Sequence, residues 1–370
     1  MQADTPHFER RQAPDAASPL PLDKWRGFLP GLLLAFAIGL VSIAAGRLPF
    51  FQAQGISALT LAIVFGMAAG NSFYGRLAAQ CESGVHFSRQ NLLRLGIVLY
   101  GFRLTFQDIG HVGWAGIVID ALVLSSTFGL ALLVGVKLLG LDRDAAMLIG
   151  AGSAICGAAA VMATAPVLRT RSEQVAIAVA TVVAFGTIAI FLYPWLYRLN
   201  AHVALLPSSP SGFGIYIGST VHEVAQVVAA GRSISPETAD AAVIAKMVRV
   251  MMLAPFLIAL SFAWKGRETS GARRQHGSQA HKLAIPWFAF AFIVVVGFNS
   301  LGWIRPSVLA HVNEADTLLL SMAMAALGLC THVGAVRRAG LRPLALAALL
   351  FCWLVCGGAA INHVVERLLG

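Results

Sequence analysis

The sequence predicts an all-α, polytopic membrane protein with about 10–11 transmembrane helices. Of its 370 residues, 58% are hydrophobic and only 12% are charged, whereas soluble domains have about 45–50% apolar and about 25% charged residues. The mean hydropathy is +0.75. Runs of roughly 20 apolar residues, each long enough to cross a bilayer core about 30 Å thick, recur from Phe28 to the C-terminus. Their unbroken length excludes the alternating strands of an outer-membrane barrel.

Eleven apolar segments follow one another along the chain. They cover residues 28–46, 56–74, 91–108, 114–138, 145–168, 174–197, 213–231, 239–264, 283–302, 317–334 and 343–365. The first residues are polar and lack the apolar core of a cleaved signal peptide. We therefore predict a disordered cytoplasmic tail at 1–24 and a single transmembrane domain at 25–370.

The basic residues predict the orientation of the chain. The formal net charge is +10, and most cations lie in short loops, which indicates topology determination and no nucleic-acid partner. With the N-terminus in the cytoplasm, most of these loops are cytoplasmic. They contain Arg76, Arg89, Lys137, Arg143, Lys265, Arg267, Arg273, Arg274, Lys282, Arg337, Arg338 and Arg342. Arg169 and Arg171 disagree, so that either their loop is a tolerated exception or segment 145–168 is not a simple crossing.

A weak internal repeat links residues 99–114 to residues 326–341, where a Gly-containing helix end precedes a short polar loop and the next apolar segment. In the predicted topology the two loops lie on opposite sides, so the repeat would be inverted, as in many secondary transporters. Small-residue patterns of packed helices can imitate such a match.

The first candidate site is the stretch Gly150–Ala160, in which nine of eleven residues are Gly, Ala or Ser. One interpretation is close helix packing through small residues. The other is an unwound break, because each glycine weakens a helix by about 1 kcal/mol relative to alanine. A break would expose amides that can bind an anion. The candidate binding residues are Gly150, Gly152, Ser153, Cys156 and Gly157.

The second candidate site is a polar stripe. Gly214, Gly218, His222 and Gln226 recur every four residues, which predicts one helical face, and Glu223 lies near its edge. Polar groups at membrane depth are costly and usually mark a pathway, although a structural hydrogen-bonded clamp between helices would also explain them.

His222-Glu223-Val224-Ala225-Gln226 is one residue short of the H-E-x-x-H zinc motif. A carboxamide is a poor zinc ligand, and the sequence offers no evident third ligand. We therefore predict no metal site and no cofactor.

The third candidate site is Lys246 and Arg249, which are three residues apart and share a helical face. They follow the predicted helix start at Ser235-Pro236 by two to four turns, too deep for easy snorkelling. They could line a site for an anion or pair with Glu223, or they could be a flanking pair if the segment boundary is displaced.

Weaker signals are Arg103 and Asp108, which could pair at the membrane interface, and Asp120, which is as compatible with a snorkelling helix end as with proton coupling. The chain has no Walker A motif and no nucleotide-binding glycine fingerprint. An ATP-driven pump is therefore unsupported.

Four stretches resemble the signature blocks of the YeiH-type family, a group of bacterial inner-membrane proteins labelled as sulfate exporters. These stretches are Gly150–Ala160, LYGFRLTFQDIG at 99–110, VHEVAQVVAA at 221–230 and KMVRVMMLAP at 246–255. The family is classed with transporters of the bile-acid and sodium/proton antiporter type. The resemblance implies a secondary transporter with inverted repeats and interrupted helices around a midplane site.

The leading hypothesis is therefore a secondary transporter, with no enzymatic activity, that exports sulfate or another small anion across the bacterial inner membrane. The glycine-rich amides with Lys246 and Arg249 would bind the anion, His222 and Glu223 would carry a coupling proton or gate the site, and Gln226 would orient substrate. Na⁺ is the alternative coupling ion, membrane lipid is the surrounding partner, and a homo-oligomer is compatible. Two other hypotheses stay open: an intramembrane hydrolase built on His222 and Glu223, and a sensory or scaffold protein.

Overall fold

The computed structural model describes residues 21–53, 56–203, 206–207, 209–268, 287–331, 334 and 339–369. The first helix begins at Pro21, so residues 1–20 of the predicted tail lie outside the described residues. The same holds for five of the predicted cytoplasmic cations, namely Arg273, Arg274, Lys282, Arg337 and Arg338.

The described chain is mostly helical and forms two bundles that contact each other along one side. Six of its helices are long and apolar enough to cross a membrane, which confirms the predicted all-α polytopic class. The first bundle consists of α1 (Pro21–Gly46), α2 (Pro49–Ala53), α3 (Ala58–Ser72), α4 (Tyr74–Phe87), α5 (Leu93–Tyr100), α14 (Trp287–Ser300) and α15 (Pro306–Leu329). A π-helical turn, Ser88–Leu92, joins α4 to α5, and a 3₁₀ turn, Gly101–Arg103, follows α5.

The second bundle contains the candidate site. It consists of α6 (Phe106–Leu132), α7 (Arg143–Ala154), α8 (Ala158–Leu168), α9 (Ser172–Val203), α10 (Pro210–Thr220), α11 (Val224–Arg232), α12 (Pro236–Met251) and α16 (Leu341–Leu369). A π-helical turn, Leu133–Leu138, ends α6. Helix α13 (Leu253–Glu268) continues α12 after Met252 and packs on α8.

Small residues allow the closest helix contacts in both bundles. A β-carbon on Gly31 of α1 would overlap the backbone of Gly84 in α4, and one on Gly66 of α3 would overlap the backbone of Ala325 in α15. Van der Waals packing of this kind holds membrane helices together, because burial from lipid adds no hydrophobic driving force.

Two predicted crossings are re-entrant hairpins. Helix α7 ends at Ala154, and α8 runs back to the end from which α7 started, since Gln174 at the start of α9 donates a hydrogen bond of 2.6 Å to Asp142 just before α7. Arg169 and Arg171 therefore lie at the same end of the bundle as Arg143. The two cations that disagreed with the positive-inside pattern follow a hairpin that does not cross.

Helices α10 and α11 form the second hairpin, which enters from the opposite end. Gly214 of α10 and Gly231 of α11 both pack against the first two turns of α12, near Thr238 and Ala239. The chain thus reverses direction at residues 221–223. The single helical stripe predicted from Gly214 to Gln226 is wrong, because the helix ends at Thr220 and a new one begins at Val224.

The two ends of the molecule can be named from these contacts. The basic end carries the starts of α7, α9 and α16, with Arg342 beside Gly140. The far end carries the C-terminus of α11 and the start of α12. Segments 145–168 and 213–231 are the two hairpins, and they point toward each other from these opposite ends.

Candidate functional site

The tips of the two hairpins meet around Lys246 of α12. Its side chain is fully buried, and Nζ donates hydrogen bonds of 2.8 Å to the carbonyl oxygen of Ile155 and 2.5 Å to that of Val221. These two carbonyls belong to the breaks that follow α7 and α10. The last carbonyls of a helix have no partner within the helix and carry a partial negative charge. One ammonium group therefore satisfies both helix ends.

Arg249, one turn further along α12, donates hydrogen bonds to carbonyl oxygens near the C-terminal ends of the same two helices, α7 and α10. Its guanidinium is fully buried and donates to the carbonyl oxygen of Ala154 at 2.6 Å and to those of Ser153 and Ser219. The two cations thus bind the C-terminal ends of α7 and α10 and join both hairpins to α12.

Asp120 of α6 places a carboxyl group beside these cations. The side chain is fully buried, neither carboxylate oxygen has a hydrogen-bond partner within the described ranges, and it interacts electrostatically with Arg249 and Lys246. Of the two interpretations of Asp120, the snorkelling helix end does not fit a fully buried side chain.

The N-terminal ends of the returning helices converge on Glu223. The backbone amide of Ala158, the first residue of α8, donates a hydrogen bond of 3.3 Å to Glu223 Oε1. Glu223 is also the N-cap of α11, where it forms a capping box with Gln226, whose Oε1 accepts from the Glu223 amide at 3.1 Å. The N-termini of α8 and α11 each carry a partial positive charge. A single carboxylate lies at both.

Gly157 makes this approach of the two hairpins feasible. It precedes α8 with φ 70° and ψ −136°, a conformation that side chains with a β-carbon rarely adopt. A β-carbon at this position would also overlap Glu223 Cγ. The break in the first hairpin is confined to residues 155–157, which is shorter than the glycine-rich stretch that predicted it.

The other candidate glycines serve helix packing. Gly150 lies against Ala131 of α6, Gly152 against Val182 of α9, and Gly218 against Ala245 of α12. Both interpretations of the stretch therefore apply, to different residues: helix packing describes Gly150 and Gly152, and the break describes Gly157.

A cavity of 190 Å³ lies between the two bundles and reaches Glu223. The first bundle contributes polar and basic side chains at one end and apolar ones deeper in, namely His86, Arg89, Gln90, Leu93, Arg94, Ile97, Phe288, Ala323 and Leu327. The second bundle contributes Cys156, Ala158, Ala159, Met162, Val179, Glu223, Val224, Ala225 and Val250. One water occupies about 30 Å³ in the liquid, so the cavity has room for a small solute.

The remaining candidate residues lie behind this surface. Neither His222, which is 1% exposed, nor Gln226, which is fully buried, lines the cavity. His222 Nδ1 and Gln226 Nε2 have no hydrogen-bond partner in the part of the chain that the structure describes. Ser153 is buried and its Oγ is also unpartnered there. Lys246 and Arg249 do not line the cavity either, since their donors bind the hairpin carbonyls.

A second polar cluster joins the two bundles at the far end. Tyr100 at the end of α5 donates a hydrogen bond of 2.7 Å to Asp240 of α12, and Arg232 at the end of α11 donates to the Tyr100 hydroxyl at 3.3 Å. The guanidinium groups of Arg103 and Arg232 lie 5.4 and 5.5 Å from the centre of the Tyr100 ring. Arg103 forms an ion pair of 3.0 Å with Asp316. The predicted local partner, Asp108, instead caps α6 through Thr105.

Hydroxyl groups beside this cluster complete the contact. Ser57 at the start of α3 donates to the carbonyl oxygen of Ala229, and Thr60 Oγ1 lies 3.1 Å from Ser233 Oγ. We call Ser57, Thr60, Tyr100, Arg232, Ser233 and Asp240 the far-end contact. It links the bundles at the end opposite to Arg89 and Arg94, so the cavity is approached from the basic end.

Several of these residues were missed or undervalued in the sequence. Arg94 lies inside the apolar segment 91–108, and Asp240 lies at the start of segment 239–264. A charge inside an apolar segment is a signal that could have drawn attention to Arg94. No local pattern indicates that Tyr100 and Asp240 meet, because they are 140 residues apart.

Comparison with known proteins gives the family. The family model described as "Conserved hypothetical protein 698" matches residues 30–347. A UPF0324 membrane protein of Pseudomonas aeruginosa is 61% identical over 344 residues, which are 93% of this chain and 96% of the relative.

Two relatives named "UPF0324 inner membrane protein YeiH" are similar over nearly the same length. The one from Salmonella typhimurium is 56% identical over 342 residues, and the one from Escherichia coli K12 is 55% identical over 342 residues. Each alignment covers 92% of this chain and 95% of the relative. Together with the apolar helices, these matches support a multi-pass protein of the inner membrane. The chain belongs to the UPF0324 family of membrane proteins, the YeiH-type family that its sequence blocks resemble.

Proposed function

We propose that this protein is a secondary transporter of a small anion, such as sulfate or another sulfur oxyanion. The observation that carries the proposal is the cavity between the two bundles, which reaches the N-termini of α8 and α11, the returning helices of the two hairpins, beside Glu223. Backbone amides at helix N-termini bind anions because they point outward and carry partial positive charge.

The approach to this cavity also favours an anion. Arg89, Arg94 and His86 line it at the basic end. Positive side chains at a cleft raise the local concentration of anions and their rate of arrival. By the positive-inside bias, we infer that the basic end faces the cytoplasm. An exporter would take up its substrate from there.

The proposed mechanism is alternating access through relative movement of the two bundles. The hairpins, α12 and the buried cations belong to one bundle, and the basic approach belongs to the other. The far-end contact closes one side. In this proposal, Lys246 and Arg249 keep the hairpin tips together, and the anion meets amides and cavity side chains instead.

The test is anion transport by the purified full-length protein in proteoliposomes, measured with sulfate and thiosulfate on one side. We expect concentration-dependent movement that empty liposomes lack, and a rise in thermal stability with the same anions in detergent, because binding stabilises the folded state. Absence of both effects for a panel of oxyanions would contradict the proposal.

The hydrolase hypothesis draws no support from the described residues around the cavity, since His222 does not line it. Metal analysis of the purified protein tests it directly. About one zinc per chain, lost in His222→Ala, would support a metalloenzyme instead of the transporter.

A further inference from the structure

We propose that Glu223 competes with the transported anion for the same amides, so that an anion binds when the Glu223 carboxylate takes up a proton. Anion and proton would then move together. This inference rests on the function proposed above and names its coupling ion.

The position of the carboxylate carries the inference. Glu223 Oε1 accepts from the Ala158 amide at the start of α8, and the same residue caps α11. Each helix N-terminus is equivalent to roughly half a positive charge. Two N-termini therefore balance about one negative charge, which Glu223 already supplies. A second anion at these amides would be repelled by the carboxylate.

A buried, unused donor lies beside this position. Gln226 is fully buried and its Oε1 holds the Glu223 amide, while its Nε2 has no partner among the residues that the structure describes. A buried donor without a partner is costly. The capping box thus holds one unused donor, on a carboxamide that packs against Gly186 of α9 and does not line the cavity.

Glu223 is the acidic side chain among the described residues that line the cavity, and Asp120 lies behind it beside Lys246 and Arg249. Lys246 of α12 interacts with Glu223 electrostatically, and the neutral Cys156 thiol, from the break between α7 and α8, lines the same cavity. From α4 and α5 and the turn between them, the cavity receives His86, Arg89 and Arg94. The contributions of α9, α14 and α15 to the cavity are the uncharged residues Val179, Phe288, Ala323 and Leu327. His222 is its chain neighbour.

The proposed step is a simple proton transfer. A proton from the solvent adds to the Glu223 carboxylate. The neutral acid then no longer balances the partial positive charge of the two N-termini, and the bound anion supplies the negative charge instead. The acid can then donate a hydrogen bond to an anion oxygen. On release of the anion, the proton leaves and the carboxylate binds the amides again. Linkage is reciprocal, so protons must tighten anion binding by the factor by which the anion tightens proton binding.

The test is calorimetric titration of the purified full-length protein with sodium sulfate and sodium thiosulfate between about pH 5 and pH 8. In the wild type, we expect affinity to fall by up to about tenfold per pH unit where one proton is linked. Titrations in buffers of different ionisation enthalpy should report uptake of about one proton per anion. Glu223→Gln keeps a carbonyl oxygen for the Ala158 amide, and it should bind with little pH dependence and more tightly than the wild type at high pH.

Two further variants make the result specific. Glu223→Asp keeps a titrating carboxylate and should retain the pH dependence. Glu237→Gln removes an exposed carboxylate in the first turn of α12 and should behave as the wild type. A wild-type protein that binds without pH dependence, or a Glu223→Gln protein that keeps the wild-type dependence, would overturn this inference while leaving anion binding intact. Absence of binding to wild type and Glu223→Gln alike would overturn the proposed function as well.

Discussion

The side chain of Glu223 lies against Gly157, so close that a β-carbon on residue 157 would overlap Glu223 Cγ. This contact brings the N-terminus of α8 to the carboxylate that also caps α11. The two hairpins enter from opposite ends of the bundle. At this contact, the N-termini of α8 and α11, which carry partial positive charge, share the Glu223 carboxylate.

Replacing Gly157 by alanine should therefore abolish anion binding. The substitution combines a strained positive φ, which costs about 1–3 kcal/mol, with displacement of Glu223. The matched control is Gly302→Ala, since Gly302 also has a positive φ, of 68°, but a β-carbon there meets open space. Thermal unfolding and anion titration should show some loss of stability in both variants and loss of binding in Gly157→Ala alone. Equal binding by the two variants would contradict the contact's role.

The sequence predicts the membrane class and, as one of two interpretations, the break within Gly150–Ala160, because apolar runs and clustered glycines are local properties. It misses the second break, at residues 221–223, because it predicts one continuous helical face from Gly214 to Gln226. For segment 145–168, the basic loop with Arg169 and Arg171 leaves open that the segment is not a simple crossing. For segment 213–231, the sequence gives no sign that the chain turns back, since the apolar run is long enough to cross. The reversals depend on contacts between residues that are far apart in the sequence, such as Asp142 with Gln174 and Gly214 with Thr238.

The sequence also does not predict the hydrogen-bond partners of Lys246 and Arg249. The sequence indicates that both cations are deep in an apolar segment, and it offers a carboxylate or an anion to pair with them. In the structure, both side chains donate to backbone carbonyl oxygens. Every residue has a backbone carbonyl, so no residue pattern indicates which carbonyls are the partners.

Lys246→Met should destabilise the protein more than it weakens anion binding. The change leaves the carbonyls of Ile155 and Val221 buried without a donor, which we expect to cost about 2–5 kcal/mol in total. Thermal unfolding in detergent measures this loss, and Lys137→Met, at an exposed position of the π-helical turn after α6, is the control. At a temperature where Lys246→Met is folded, the dissociation constant for the anion should stay within about threefold of the wild-type value. Normal stability with lost binding would instead show that Lys246 meets the anion.

A disulfide across the far-end contact should stop transport and leave binding intact. Thr60 of α3 and Ser233 after α11 belong to different bundles, and their side-chain oxygens are 3.1 Å apart, which suits a disulfide after replacement of both by cysteine. The experiment uses a background in which the exposed Cys352 and Cys356 are serine. Oxidation should block movement of the anion in proteoliposomes, and a reductant should restore it.

The control for that disulfide stays within one bundle. Ser57 and Thr60 lie 2.9 Å apart at the start of α3, so a cysteine pair there imposes a local cross-link without joining the bundles. Transport by this control should persist after oxidation. Transport that continues through the oxidised Thr60–Ser233 pair would contradict alternating access by relative movement of the bundles.

Arg94→Gln should weaken anion binding in a manner that depends on salt. Arg94 lines the cavity at its basic approach, and removal of one partly exposed charge there should cost about 1 kcal/mol, or about a fivefold rise in the dissociation constant. Salt screens charges over about 8 Å at physiological ionic strength and over about 3 Å near 1 M, so the difference in affinity between Arg94→Gln and the wild type should shrink as inert salt is added.

The control variant is Arg76→Gln, which removes an exposed cation of α4 that does not line the cavity and should change affinity little. Calorimetric titration at low and high ionic strength measures both effects. If Arg94→Gln and Arg76→Gln weaken binding equally, the cations act only through the overall charge of the protein. The position of Arg94 at the cavity would then no longer support an anionic substrate.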